Sequence, residues 1–430
     1  MFLPSKRFAR SASKLSVSLE VVPLDAYIAR QPIFNKQLKI RGYELLFRLK
    51  SADTDSLVTN ADQATSHVVM DSFYSRGIES ITGGKPAFIN FTSRHLVENT
   101  ATLFPKDTLI IEILEDIEPT PEVIEACHRL YKKGYVFAMD DFVYRPELDP
   151  LIEISSIIKF DFLISTPDEV SDMLKNKNLK GKTLLAEKIE TNEMFNLAGK
   201  MGFNLFQGYF FSKPVTLTGK SLSPLKISYL VLLKEISATD EINYRKLAVT
   251  IRNDVVLSYK LLKLVNSAYY GLRSNVKDVM QALTIIGTKE VRKWIFMISL
   301  LGISAGKPDE IAKMSMIRGR FLENLNMRWI RTHSNESVFQ TGLFSMLNVL
   351  MDMPMSKALE GIFLEDEVRD ALIERTGGLY DLLELAISLE CSDWEKVDEL
   401  AERLGIAPGT ITDEYLDAVK WCYDTVLVLQ

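Results

Sequence analysis

Cysteine and histidine are both scarce in this 430-residue sequence, which contains three cysteines and four histidines. Cys127, Cys391 and Cys422 lie far apart, and none belongs to a CxxC pair. The spacing therefore predicts neither a disulfide framework nor a zinc knuckle. A reducing compartment suits such a chain, and we predict that the protein is cytoplasmic.

The sequence also lacks long apolar runs and an excess of positive charge. No run approaches the roughly 20 apolar residues that a bilayer span requires, so no membrane span is predicted. The formal net charge of −6 provides no chain-wide basic surface, which argues against direct binding of nucleic acid. Residues 1–24 contain no apolar stretch long enough for a signal peptide, and we predict a flexible tail there.

The rest of the chain has two parts, which differ in the spacing of their hydrophobic residues. Residues 25–216 contain eight short β-branched or aromatic runs separated by amphipathic stretches, the alternation typical of a TIM-type barrel. The first two runs are separated by about a dozen residues, too few for a crossover helix, so they predict an antiparallel hairpin. A linker rich in Ser, Thr, Gly and Pro is predicted over residues 217–227, and helical patterns fill residues 228–430.

Polar residues stand at or near the ends of the apolar runs, where barrel enzymes carry their active sites. Glu112 and Glu187 lie inside such runs, where a buried charge is costly unless a cation compensates it. The complete set is Gln31, Glu44, Arg48, Asn90, Glu112, Asp140, Asp141, Lys159, Asp161, Glu187 and Gln207. Carboxylates and an amide suit Mg²⁺ or Mn²⁺ rather than zinc. Two such ions fit phosphodiester hydrolysis, with Arg48 and Lys159 balancing phosphate charge.

Seven strings in the first half resemble, in the same order, the EAL family of cyclic di-GMP phosphodiesterases: GYELLFR, FINF, EILE, MDDF, KFD, AEKIET and FQGYFFSKP. The resemblance spans about residues 25–214. It implies a modified TIM-type (β/α)8 barrel with one antiparallel strand. The implied reaction is hydrolysis of one 3′,5′ diester bond of cyclic di-GMP to the linear dinucleotide, with Mg²⁺ or Mn²⁺, two ions, as cofactor.

The resemblance also implies a role for each matching residue. Glu187 corresponds to the general base for the attacking water, and Lys159 to the lysine that positions this water. The ligands of one metal ion would be Glu44, Asn90, Glu112 and Asp140, and Asp141 would help to hold the second ion. The nucleotide contacts would be Gln31, Arg48 and Gln207, and the supporting acids would be Glu115, Asp161 and Glu190.

Two positions depart from the family pattern. The glycine-bearing loop that follows the acidic pair in the family, DDFGTGYSSL, reads DDFVYRPELDPL here. Glu115, which matches the glutamate that anchors this loop, is retained. Lys188 replaces a glycine and places a cation beside Glu187. We expect it to alter the pKa of that base or the affinity for the second metal ion.

The second half resembles the HDOD domain, a helical relative of HD-type metal phosphohydrolases, in IRNDVVLSYKLLKLVNSAYYG and QALTIIG. HD enzymes need a His-Asp pair and further histidines, whereas His333 is the one histidine of this half. We therefore predict an all-helical regulatory or protein-binding domain. Its Asp254, Asn266 and Gln281 are expected in helix caps and packing contacts, with one helix ending at Gly271.

Three functions are compatible with these patterns. The first is a cyclic di-GMP phosphodiesterase regulated by its helical domain. The second, suggested by the rewritten loop, is a catalytically inactive receptor for cyclic di-GMP, and the third is a protein-interaction scaffold. The resemblance also implies a homodimer, and the helical domain predicts a protein partner that the sequence does not specify.

Overall fold

The computed structural model describes residues 26–49, 77–175, 179–212, 224–238, 242–267, 272 and 274–429. The predicted tail, residues 1–24, lies outside the described residues. The same holds for residues 217–223 of the predicted linker, and the first helix of the second half begins at Pro224.

Eight strands close into a barrel in sequence order. Strand β1 is antiparallel to both of its neighbours, β2 and β8, and all other neighbouring pairs are parallel. The strands are β1 Ala26–Asn35, β2 Ile40–Leu49, β3 Ala87–Phe91, β4 Leu109–Ile113, β5 Val136–Met139, β6 Ile157–Asp161, β7 Thr183–Glu187 and β8 Leu205–Gln207. The predicted modified barrel, including its hairpin, is confirmed.

The hairpin turn between β1 and β2 is stabilised by its own side chain. Asn35 Oδ1 accepts hydrogen bonds from the backbone N–H groups of Gln37 and Lys39, at 3.0 and 2.9 Å. Such Asx contacts fix a tight turn without a crossover helix. The helices of the barrel half are α1 Ile78–Thr82, α2 Ser93–Val97, α3 Pro121–Lys132, α4 Asp149–Ile154, α5 Pro167–Met173 and α6 Asn192–Met201.

The second half is helical throughout its described residues. Its helices are α7 Pro224–Ser237, α8 Tyr244–Arg252, α9 Val255–Val265, α10 Val279–Ile286, α11 Thr288–Ile303, α12 Asp309–Leu325, α13 Asn335–Phe344, α14 Leu347–Met351, α15 Met355–Ala358, α16 Asp366–Arg369, α17 Gly378–Cys391, α18 Trp394–Leu404 and α19 Pro408–Leu429. Among these helices, none is both long and apolar enough to cross a membrane.

The caps of α9 confirm two predicted roles and correct one boundary. Asp254 accepts hydrogen bonds from the backbone N–H groups at the helix start. The helix ends at Val265, before the predicted end at Gly271, and Gly271 itself lies outside the described residues. Asn266 caps the helix, and its side chain bonds both the N–H and the carbonyl of Val276.

The helical half covers the edge of the barrel at β1. This strand pairs with β8 only from Ile33 to Asn35, which leaves its first part without a strand neighbour on that side. The hydroxyl of Thr412 in α19 donates to the carbonyl of Ala26 at 2.6 Å and accepts from the N–H of Ile28 at 3.1 Å. A helix therefore supplies hydrogen bonds that an adjacent strand would otherwise make.

A buried ion pair joins the two halves beside this edge. Arg30 of β1 lies 3.2 Å from Glu310 of α12, and their side chains are 3% and 1% exposed. Arg30 also donates to the Tyr423 hydroxyl at 2.7 Å, and Tyr43 donates to Glu310 at 2.7 Å. Because a buried charge without its partner is strongly destabilising, this cluster ties the barrel to the helices.

Candidate active site

A cleft of about 450 Å³ opens at the barrel mouth where the polar strand ends meet. Strand register brings the predicted residues together, since Asn90 pairs with Glu112 across β3 and β4, and Asp161 with Glu187 across β6 and β7. The predicted residues that line the cleft are Gln31, Glu44, Asn90, Asp140, Asp141, Glu187, Glu190 and Gln207.

Lys159 lies at the centre of the site. Its side chain is completely buried, and Nζ lies 2.6 Å from Oε1 of Glu112, 2.6 Å from Oδ1 of Asp140 and 2.9 Å from Oε1 of Glu187. Oε1 of Glu44 is slightly farther away, at 3.5 Å. One ammonium thus contacts carboxylates from β2, β4 and β7 and from the residue that directly follows β5.

Burial and mutual charge shift the pKa values of the acidic residues around Lys159. Burial raises the pKa of Glu112 and of Glu187 well above the ordinary value, and Lys159 opposes the rise. Burial alone would lower the pKa of Lys159, but the carboxylates that surround it raise the value instead. The ammonium therefore stays charged, and this one positive charge faces four carboxyl groups.

The donor set fits a divalent metal ion. Oε2 of Glu112, Oδ1 of Asn90 and Oδ1 of Asp141 are buried oxygens without a hydrogen-bond partner. Asp140, Asp141 and Glu187 each offer an oxygen within 4.8 Å of the others. Buried oxygen acceptors of this kind are costly unless a donor or cation satisfies them. Carboxylate and amide oxygens are ligands of hard cations.

Two glutamines connect the acidic group to the open side of the cleft. Gln207 donates to Oε2 of Glu44 at 2.6 Å and to Oε1 of Gln31 at 2.8 Å. Gly208 follows with a φ of +136°, and a Cβ there would lie 2.2 Å from the carbonyl oxygen of Ile189. Only glycine permits this approach of the two backbones, which places Gln207 beside the acidic strand ends.

Asp141 and Asp161 lie on another side of the site, with Lys188. Asp161 accepts hydrogen bonds from the backbone N–H groups of Leu163 and Ile164 and contacts the ammonium of Lys188. Burial and the neighbouring Asp140 carboxylate raise the pKa of Asp141. The sequence located Lys188 next to Glu187, but its pairing with Asp161 depends on the contact between β6 and β7.

Three predicted residues stand apart from the acidic group. Arg48 is not part of the cleft lining, and its guanidinium lies 3.5 Å from Asp398 of α18. Glu115 is exposed, and its carbonyl accepts a hydrogen bond from Arg145 at 3.0 Å. This contact holds the rewritten loop, which forms a helical turn at Pro146–Leu148. Glu190 is exposed on the rim.

The corner between α17 and α18 also lines the mouth, and no pattern in the sequence predicts this contact. Cys391 and Ser392 of this corner border the cleft. Gln31 donates to the Ser392 hydroxyl and to the Glu390 carbonyl, both at 3.4 Å. These residues lie more than 350 positions after Gln31, so local sequence patterns carry no signal for their position.

Comparisons with known proteins identify a domain and two relatives. Residues 224–369 match the family model of the HDOD domain. The chain is 36% identical over 406 residues to the uncharacterized protein YuxH of Bacillus subtilis (strain 168), covering 93% of this chain and 98% of YuxH. It is 32% identical over 400 residues to the cyclic di-GMP phosphodiesterase CdgJ of Vibrio cholerae serotype O1, covering 93% of this chain and 92% of CdgJ.

Solved structures are similar to part of the chain. The crystal structure of an EAL domain protein from Listeria monocytogenes EGD-e covers 45% of this chain and 90% of its own, at 23% identity and a TM-score of 0.36. The two relatives, by contrast, extend over nearly the whole chain and include both halves. The chain belongs to the family that includes YuxH and CdgJ, and it contains an HDOD domain.

Proposed function

We propose that this protein hydrolyses cyclic di-GMP to the linear dinucleotide and that its helical half regulates the reaction. The observation that carries the proposal is the buried Lys159 with four carboxylates at the mouth of the barrel. The relationship to CdgJ, a cyclic di-GMP phosphodiesterase, supports the choice of substrate.

Glu187 is the general base in this proposal. Its carboxylate borders the cleft, and one oxygen is held by Lys159 at 2.9 Å. Glu187 takes a proton from the attacking water as the new oxygen–phosphorus bond forms. The bond from phosphorus to the 3′ oxygen breaks, and that oxygen gains a proton. A base held by a buried ammonium keeps a fixed orientation, which favours this transfer.

The metal ligands in this proposal are Glu44, Asn90, Glu112 and Asp140, and Asp141 borders this group. When bound, divalent cations neutralise the charge that develops on the phosphoryl oxygens. The buried, unpartnered oxygens of Glu112 and Asn90 support this assignment. Gln31 and Gln207 line the same cleft and are the proposed contacts to the nucleotide.

The test of this function is turnover of cyclic di-GMP by the full chain. We expect linear dinucleotide to appear with Mg²⁺ or Mn²⁺ and to disappear when a chelator removes the metal, because the acidic site repels phosphate without it. Chromatography of the products measures both results. Tight binding of cyclic di-GMP in calorimetry without any turnover would instead support the receptor function.

The corner at Cys391–Asp393 supports regulation through the helical half. It borders the cleft, and it engages Gln31, while Asp398 holds Arg48. Both partners on the barrel are proposed nucleotide contacts. A protein partner that moves α17 and α18 would therefore change access to the substrate site.

Asp398→Ala is expected to tighten binding of cyclic di-GMP about two- to fivefold, because it frees Arg48 from a half-exposed ion pair. Calorimetry with Mg²⁺ present, on proteins that also carry Glu187→Gln to suppress turnover, measures the affinity. Asp424→Ala, which removes an exposed aspartate of α19, is the control and should leave the affinity unchanged. Unchanged or weaker binding in Asp398→Ala would contradict the proposed regulation.

A further inference from the structure

Lys188 has an unusual backbone at the end of β7. It directly follows Glu187, and its φ is +53°, a left-handed conformation that residues other than glycine seldom adopt. Its ammonium contacts Oδ2 of Asp161 and lies 4.0 Å from Oδ2 of Asp141. The fold thus holds a lysine in a strained conformation against two carboxylates of the site.

The site's carboxylates fall into two groups, and each group has its own ammonium. Lys159 lies within 3.5 Å of the first group, which comprises Glu44, Glu112, Asp140 and Glu187. Lys188 contacts the second group, Asp141 and Asp161. The two lysines differ in exposure, since the Lys188 side chain is 48% exposed and Lys159 is fully buried.

The first group retains unsatisfied oxygens despite its ammonium, whereas the second is better compensated. Oε2 of Glu112 and Oδ1 of Asn90 have no hydrogen-bond partner. Asp161, by contrast, already has two backbone N–H donors besides Lys188. Asp141 keeps one unpartnered oxygen, but a dication bound to it would lie close to the Lys188 ammonium. Like charges repel in a partly buried site. Two carboxylates offset that repulsion beside Lys188, whereas four surround Lys159.

We propose that the ammonium of Lys188 takes the place of a second divalent cation beside Asp141 and Asp161. The chain then binds one divalent cation tightly, at Glu44, Asn90, Glu112 and Asp140, and a second one only weakly. This inference rests on the proposed function in one respect, because each requires a divalent cation at the first group. In this arrangement Lys188 is a positioning residue, which holds Asp141 and Asp161 in place.

The number of bound ions tests this inference without substrate. Mn²⁺ is titrated into metal-free full-length protein, and electron paramagnetic resonance measures free and bound ions. The parent should bind one Mn²⁺ tightly. Lys188→Gly, which also relieves the left-handed backbone, should bind a second ion at least about tenfold more tightly than the parent, since the repelling charge is gone. Two neighbouring Mn²⁺ ions should also give a broadened, spin-coupled spectrum.

Two further variants separate charge from shape. Lys188→Gln keeps most of the side-chain length and should also gain the second ion. Lys175→Gln removes an exposed ammonium paired with Asp172 and should bind Mn²⁺ as the parent does. Two equally tight ions in the parent, or only one in both Lys188 variants, would overturn the inference. Absence of turnover in every variant, with the ion counts as expected, would refute the proposed function alone.

Discussion

Glu187→Gln is expected to lower the turnover of cyclic di-GMP by about 10³-fold while leaving its binding nearly unchanged. Removal of a positioned general base typically costs 10² to 10⁴ in rate. The amide keeps the shape of the carboxylate and can still accept a hydrogen bond from Lys159, which lies 2.9 Å from the native oxygen. It cannot take the proton of the attacking water. Single-turnover assays of product formation measure the rate.

Calorimetry on the same variant separates chemistry from binding, because nucleotide binding is assigned to other side chains, Gln31 and Gln207. Glu193→Gln is the matched control, since it makes the same change at an exposed position in the first turn of α6. It should retain the parent rate. Turnover by Glu187→Gln at the parent rate would remove Glu187 from the mechanism and leave the acidic group without an identified base.

Much of the barrel and its acidic site was predictable, because both depend on local patterns. Glu112 and Glu187 stand within short apolar runs, and an acid at such a position is expected where a strand reaches the barrel mouth. Parallel neighbours in register then bring such residues together, as Asn90 and Glu112 are. The antiparallel pairing of the first two strands was predictable because the connection between them is too short for a helix.

Contacts between the two halves could not be predicted in this way. Tyr27 stacks on Trp394 and donates to Asp398, and Arg30 pairs with Glu310. In the sequence AYIARQ, Arg30 resembles any exposed charged residue. A single charge in a strand has no periodic pattern that would predict its burial. Its burial becomes evident only when α12 and α19 are placed against β1.

The barrel half expressed without the helices, as residues 25–216, is expected to lose cooperative folding. Arg30 would lose Glu310 and Tyr423, and the ring of Tyr27, which is completely buried in the full chain, would lose its stacking partner Trp394. Burial of a large side chain contributes about 1.5–3 kcal/mol, and each hydrogen bond from Thr412 to the backbone of Ala26 and Ile28 contributes about 1 kcal/mol. Such losses are a large part of the stability of a typical domain, about 5–15 kcal/mol. Urea unfolding and amide hydrogen exchange of β1 measure the loss.

A milder variant tests the same contact within the full chain. Thr412→Val removes the hydroxyl that bonds Ala26 and Ile28 and should lower the free energy of unfolding by about 2 kcal/mol. Thr410→Val, two residues earlier on α19, is the control and should change it by less than about 0.5 kcal/mol. If the isolated barrel unfolded with the midpoint of the full chain, the helices would not stabilise β1. Their influence on the cleft would then have to act through Gln31 and Arg48 alone.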